Sequence, residues 1–166
     1  MTVREIARLF AYNAWATNRV FEALAALPDI EYRCDLKASH GGLRGTMTHL
    51  VAVEKIWLSR LVGKPEPELM QEREAESLAA LKEVWQEVAA RTARFVSRLD
   101  EKVLEKRVEY VTTEGERYLN EVRQILLHMI NHSSYHRGQL AALMRQLGHE
   151  PVNTDLIAFY RHTAEK

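Results

Sequence analysis

Apolar residues recur every three or four positions along much of this chain, which is the spacing that places them on one face of an α-helix. The first run ends near Pro28. It is preceded by Thr2 and Glu5, which have the spacing of a capping box at the start of a helix. Its apolar face consists of Ile6, Phe10, Ala14, Phe21 and Leu24. Asn13 and Thr17 fall on the same face, so we expect two polar side chains to point towards the core.

Two further runs predict a second and a third long helix. Residues 28–42 contain a proline and two glycines and are expected to form a loop; a helix over about 43–62 follows and ends at Gly63. The inward residues of this second helix are Met47, Leu50, Val53, Trp57 and Leu61. Those of the third helix, spaced alternately by three and four, are Leu78, Leu81, Trp85, Val88, Thr92, Phe95 and Leu99. This heptad-like spacing favours nearly antiparallel packing in a bundle.

The last third of the chain predicts a hairpin and two more helices. Alternation over 108–112 and a turn at 114–115 indicate a short β-hairpin. A fourth long helix should cover about 120–147, and residues 153–160 should form a short C-terminal helix. The inward residues of the fourth helix are Ile125, Met129, His132, His136, Leu140, Leu143 and Leu147. The predicted fold is all-α: a four-helix bundle with these two small additions, forming one domain over 1–166.

The composition is that of a globular protein and excludes several functional classes. Hydrophobic residues make up 46% of the chain, which argues against disorder. The 23 basic and 23 acidic residues give a formal net charge of zero, so we do not expect nucleic acid binding. The apolar runs are too short to span a membrane, and the single cysteine, Cys34, cannot form an intrachain disulfide. These features favour a cytoplasmic protein.

The candidate chemistry lies in the histidines. His128, His132 and His136 are four residues apart and therefore lie along one face of the fourth helix. His132 and His136 also belong to its apolar face, where an imidazole needs a hydrogen-bond partner or a metal ion. Two histidines at this spacing can bind one metal ion, but a hydrogen-bonded core pair would show the same spacing. The chain lacks HExxH, Glu-x-x-His, cysteine-rich, phosphate-loop and nucleophile-elbow motifs.

Three segments of the chain resemble the DinB and YfiT-like family of four-helix-bundle metal proteins. They are YNAWATNRVFEAL at 12–24, LRGTMTHLVAVEKIWLSRLVG at 43–63 and HMINHSSYHRGQLAALMRQLGHEPVNTDLIAFY at 128–160. The most specific part is His-x3-His-Arg-Gly-Gln, which follows Thr-His-Leu by about eighty residues. The resemblance implies a divalent metal ion bound by His49 from the second helix and by His132 and His136 from the fourth.

Three imidazole ligands would leave at least one coordination position open, as in catalytic metal sites. Zinc and nickel suit such ligands, and manganese and iron are also compatible. Family relatives include bacillithiol S-transferases, so the resemblance implies a metal-dependent enzyme that transfers a low-molecular-weight thiol to an electrophile, with no catalytic protein side chain assigned. It also implies a homodimer. A hydrolase-like enzyme, a non-catalytic metal-binding stress-response protein and a purely structural bundle are the alternatives.

Other polar residues near these positions have less specific roles. We expect His128 to pack or hydrogen-bond, and His40 to be an exposed loop residue near the mouth of the site. Arg137 could bind an anionic substrate group or pair with a carboxylate of another helix. Capping, packing or solvation is the simpler explanation for four further polar residues that could accept a hydrogen bond from a ligand imidazole: Asn13, Thr17, Glu54 and Asn131.

Overall fold

Four long helices and a small hairpin make up the fold in the computed structural model, which describes residues 1–75, 77–112 and 114–164. The elements in chain order are α1 (Val3–Ala25), α2 (Asp29–Arg33), α3 (Leu43–Leu61), a 3-10 turn (Glu72–Glu74), α4 (Leu78–Val96), α5 (Glu101–Leu104), β1 (Arg107–Val111), β2 (Arg117–Glu121), α6 (Val122–Gln146) and α7 (Leu156–Ala164). The predicted four long helices, hairpin and C-terminal helix are confirmed. No helix in the described ranges is both long enough and apolar enough to cross a bilayer.

Local sequence fixes the start of α1. The backbone amide of Glu5 donates to Thr2 Oγ1 at 3.2 Å, and the Glu5 carboxylate accepts from the Thr2 amide at 2.7 Å, so the predicted capping box is present. The prediction of an uninterrupted loop over 28–42 is wrong, because α2 lies within it. Burial of Tyr32 in the core holds this single turn in place.

The hairpin leads directly into the last long helix. β1 and β2 are antiparallel, with Tyr110 opposite Tyr118, and α6 begins at the residue after β2. Tyr110 packs edge-on against Trp57 of α3, with 4.8 Å between the ring centroids. The hairpin is therefore held against α3, beside the two helices that carry the predicted metal ligands.

A layer of buried polar residues separates the two larger apolar parts of the core; a third, smaller part surrounds Phe159. One part surrounds Phe21 and Trp85, and the other surrounds Phe10 and Met129. The polar layer between them consists of Asn13 and Thr17 of α1, Glu54 of α3, Thr92 of α4, and Ser133 and Arg137 of α6. Each of the four long helices therefore passes from one apolar part, through this polar layer, into the other.

Two glycines within helices differ in the space around them. At Gly45, in the first turn of α3, an added Cβ would lie 1.9 Å from the carbonyl oxygen of His40 and 2.7 Å from Oε1 of Glu72. At Gly138 of α6, no atom of the described residues outside the helix backbone lies within 4 Å of that position. The first glycine therefore permits a close approach between the loop and α3, whereas the second leaves open space.

We expect Gly45→Ala to lower the free energy of unfolding by about 2 kcal/mol, because the loop that carries His40 must move away. Gly138→Ala is the matched control and should raise it by up to about 1 kcal/mol, since alanine is the better helix former. Urea denaturation of both variants measures the difference. Equal effects at the two positions would contradict the close approach.

Candidate metal centre

Three predicted ligands converge between α3 and α6. Nε2 of His132 lies 3.2 Å from Nε2 of His49 and 3.0 Å from Nε2 of His136. His132 and His136 stand one turn apart on α6, and His49 faces them from α3. The structure therefore brings together the three side chains that the family resemblance implied.

His40 also joins this group, so the expectation of an exposed loop residue is wrong. Its half-buried ring stacks on that of His49, with 4.0 Å between the centroids and 18° between the planes. One ring nitrogen from each of His40, His49 and His136 lies within 4.8 Å of the other two, so this trio could also hold a metal ion. The close approach of the His40 backbone to Gly45 brings the loop to the site. We call His40, His49, His132 and His136 the histidine cluster.

The spacing of the Nε2 atoms matches that of ligands around one metal ion. A metal–nitrogen distance of about 2.0–2.1 Å places two ligand nitrogens about 2.9 Å apart at a right angle and about 3.4 Å apart at a tetrahedral angle. The distances from His132 Nε2 to its two neighbours, 3.2 and 3.0 Å, lie between these limits.

Hydrogen bonds alone cannot satisfy this arrangement. A neutral ring nitrogen carries either one hydrogen or one lone pair, so Nε2 of His132 can make a regular hydrogen bond to only one of the two nitrogens it faces. A cation placed among three lone pairs removes this conflict. The donor set therefore fits a divalent metal ion.

Burial keeps the imidazoles of His49, His132 and His136 neutral. Desolvation, with smaller contributions from neighbouring imidazoles, lowers the pKa of His49 to about 4 and that of His132 to about 3. Desolvation also lowers the pKa of His136. Since metal ions bind the neutral form of imidazole, these three residues can act as ligands at neutral pH without first losing a proton.

Gln139 orients His136, a role that our reading of the sequence missed. Its Oε1 lies 2.7 Å from Nδ1 of His136. A hydrogen donated from Nδ1 to this carbonyl leaves the lone pair on Nε2, the atom that faces His132. The signal was present in the i, i+3 spacing within the His-Arg-Gly-Gln motif. Asn131, one of the suggested partners, is exposed on α6 instead.

Arg137 is enclosed in the polar layer. It is only 2% exposed. Its Nη1 donates to Asn13 Oδ1 at 2.6 Å and to Thr17 Oγ1 at 3.2 Å, and its Nη2 donates to the Tyr12 hydroxyl at 3.2 Å and to Ser134 Oγ at 2.9 Å. Because solvent does not reach this guanidinium, the structure does not show it binding a substrate. Its hydrogen-bond partners among the described residues are neutral oxygens, and the carboxylate of Glu54 on α3 interacts with it through charge.

Glu54 lies behind Asn13 in the same network. Its Oε2 accepts a hydrogen bond from Asn13 Nδ2 at 2.9 Å and a longer one from Ser133 Oγ at 3.5 Å. Desolvation raises the pKa of Glu54 to about 7, although the Asn13 bond and the positive charge of Arg137 oppose this shift. Asn13, Thr17 and Glu54 thus bond to Arg137 or to one another in this network.

His128 packs beside the cluster, as expected from the sequence. Its ring lies edge-on to Trp57, with 5.2 Å between the centroids and 72° between the planes. The His128 and His132 rings are 5.6 Å apart. These contacts continue the row of rings on α6 from the cluster towards the hairpin.

Known proteins similar to this chain were found by sequence and by structure. The model of the DinB family matches residues 1–166. Protein DinB of Bacillus subtilis strain 168 is 23% identical, and the match covers 89% of each chain. The crystal structure of a DinB-like protein from Bacillus cereus ATCC 10987 has a TM-score of 0.69 and 22% identity, covering 92% of this chain and 97% of that one. At this identity, the structural likeness supports the fold.

The buried carboxyl of Glu54 should make stability depend on pH. Its pKa of about 7 in the folded chain lies above the ordinary value of 4.5, so its contribution is fully present below pH 4.5 and is lost as the pH rises through 7. Relative to Glu54→Gln, the free energy of unfolding of the native chain should fall by up to about 3 kcal/mol over this interval.

Urea denaturation of metal-free protein at a series of pH values measures this difference. The histidine contributions are common to both proteins and cancel in the comparison. Glu22→Gln, at an exposed glutamate of α1, is the control and should follow the native chain. If the free energy of unfolding changed with pH in the same way for the native chain and for Glu54→Gln, Glu54 would have an ordinary pKa.

Proposed function

The chain belongs to the DinB family, and we propose that its histidine cluster holds a divalent transition metal ion that activates a low-molecular-weight thiol for transfer to an electrophile. The observation that carries this proposal is the position of Nε2 of His132, which lies at metal-ligand spacing from Nε2 of His49, 3.2 Å away, and from Nε2 of His136, 3.0 Å away. Zinc and nickel suit three neutral imidazoles, and manganese and iron are compatible.

The residues of the chain prepare the site in three ways. The α3 and α6 helices fix His49 opposite His132 and His136. Gln139 directs the Nε2 lone pair of His136 inward, and burial keeps the imidazoles unprotonated. A divalent ion held by these three residues would leave a position for a thiol and would lower the pKa of that thiol, which would make the thiolate available at neutral pH.

The transfer needs no nucleophile from the protein. The thiol loses its proton to water, its sulfur forms a bond to an electrophilic carbon, and the leaving group departs with the bonding electron pair. With a conjugated acceptor, the neighbouring carbon takes up a proton instead. Cys34 does not take this role, because its Sγ lies in the loop and is 3.1 Å from the carbonyl oxygen of Glu31, to which it donates.

A second candidate function is non-catalytic metal binding, and the position of His40 favours it. A ring nitrogen of His40 lies within 4.8 Å of those of His49 and His136. A fourth imidazole ligand would close the coordination sphere, as in structural metal sites. The two candidates therefore differ in whether an added thiol can reach the metal.

Cobalt substitution distinguishes them. We expect cysteine, glutathione or bacillithiol to change the visible and near-ultraviolet spectrum of the cobalt-loaded protein, because the open position accepts sulfur. The same protein should consume thiol in the presence of an aryl halide or conjugated acceptor. His49→Ala, which removes a ligand from both possible trios, should lose both effects. His149→Ala, at a histidine paired with Glu31 outside the cluster, should keep them.

Two outcomes would contradict the proposal. Cobalt binding with no spectral response to any of the three thiols, and no thiol consumption across a panel of electrophiles, would favour the closed, non-catalytic site. Thiol consumption that survives in His49→Ala would place the reaction outside the cluster.

A further inference from the structure

A groove extends from the histidine cluster towards the hairpin. It has a volume of about 320 Å³ and lies between α3, α6 and the two strands. His132 and His128 line it from α6, and Trp57 and Arg60 line it from α3. Because Trp57 follows His49 by eight residues, it lies about 12 Å further along the axis of α3. Because His132 belongs both to the cluster and to the lining of the groove, a molecule in the groove can reach the cluster.

Aromatic rings form one wall of this groove. Trp57 and Tyr110 pack edge to face at 4.8 Å, and the rings of Tyr110 and Tyr118 are 6.2 Å apart. All three belong to the lining, together with aliphatic side chains. Such a wall favours a flat, unsaturated molecule over a strongly hydrated one.

One cation is held on this aromatic wall. The guanidinium carbon of Arg60 lies 4.5 Å from the ring centroid of Trp57 and 5.0 Å from that of Tyr110. Its Nη2 donates to the carbonyl oxygen of Val111 at 2.9 Å. Among the described residues that line the groove, Arg60 is the only one with a permanent charge, and none is acidic. A guanidinium fixed in this way suits a planar anionic group such as a carboxylate.

We propose that this groove binds the electrophile of the transfer reaction as a flat aromatic or conjugated carboxylate, with its carboxylate on Arg60 and its unsaturated body against Trp57 and Tyr110. The reactive end of such a molecule then points towards His132. This inference rests on the proposed function, because it names the chemical class of the electrophile that receives the thiol. The binding itself does not depend on thiol or on turnover.

Calorimetric titration of the zinc-loaded protein with trans-cinnamate and with neutral trans-cinnamamide tests the groove. We expect cinnamate to bind at least tenfold more tightly than the amide. Arg60→Gln should remove this preference, Arg60→Lys should retain part of it, and Trp57→Leu should weaken both ligands. Arg117→Gln, an exposed arginine on β2 outside the groove, is the control and should behave like the native chain.

Repeating the titration after chelation identifies what holds the carboxylate. A preference for cinnamate that persists without metal and disappears in Arg60→Gln would support binding of the carboxylate to Arg60 in the groove. Preference that disappears with the metal but survives in Arg60→Gln would mean that the carboxylate coordinates the ion, and the proposal would be wrong. Equal affinity for cinnamate and cinnamamide in the native chain, or loss of preference in Arg117→Gln alone, would also overturn it.

The titration and the thiol assay can fail separately. Arg60-dependent binding of cinnamate without any thiol transfer would retain the groove and reject the transfer reaction. Thiol transfer to neutral electrophiles without this binding would retain the reaction and reject the carboxylate class.

Discussion

The polar layer is the constraint on which this bundle depends. Burying a guanidinium and a carboxyl group between two apolar parts of a core is costly unless their polar atoms find partners. Asn13 meets this need at the centre, because its amide donates to Glu54 and its carbonyl oxygen accepts from Arg137. The arrangement fixes how α1, α3 and α6 are rotated against one another.

The same rotation of α6 positions the metal ligands. Ser133 and Arg137 occupy one i, i+4 pair of positions, and His132 and His136 occupy the pair one residue earlier, about 100° around the helix. While Arg137 anchors one face of α6 to α1, the adjacent face presents two imidazoles to His49. The apolar core, the polar layer and the histidine cluster are therefore linked through a single helix. The cluster contains nitrogen contacts that hydrogen bonding within the protein cannot all satisfy.

The sequence was sufficient for features that depend on local spacing. Helical periodicity predicted the four long helices, the alternation before α6 predicted the hairpin, and the positions of Asn13 and Thr17 on an apolar face correctly placed them in the interior. The meeting of His132 and His136 follows from their four-residue separation on α6. Each of these features depends on residues that lie close together within a single helix or strand.

Features that depend on tertiary approach were not predictable in this way. His40 reaches the cluster because its backbone packs against Gly45. The spacing of apolar residues along the sequence does not predict such a contact. Three of the partners of Arg137 lie on α1, more than a hundred residues away, so residue spacing could not show whether neutral oxygens, a carboxylate or a substrate would contact it. The groove likewise exists because the hairpin packs against Trp57, which pattern alone identified only as an apolar residue of α3.

The metal content of untagged protein, measured by elemental mass spectrometry, tests the central claim most directly. The account predicts close to one equivalent of a transition metal per chain, retained in His149→Ala and lost in the double variant His132→Ala/His136→Ala. Absence of metal after incubation with zinc, nickel and manganese would contradict it, as would an undiminished metal content in the double variant. Either result would leave the histidine cluster as a structural part of the core.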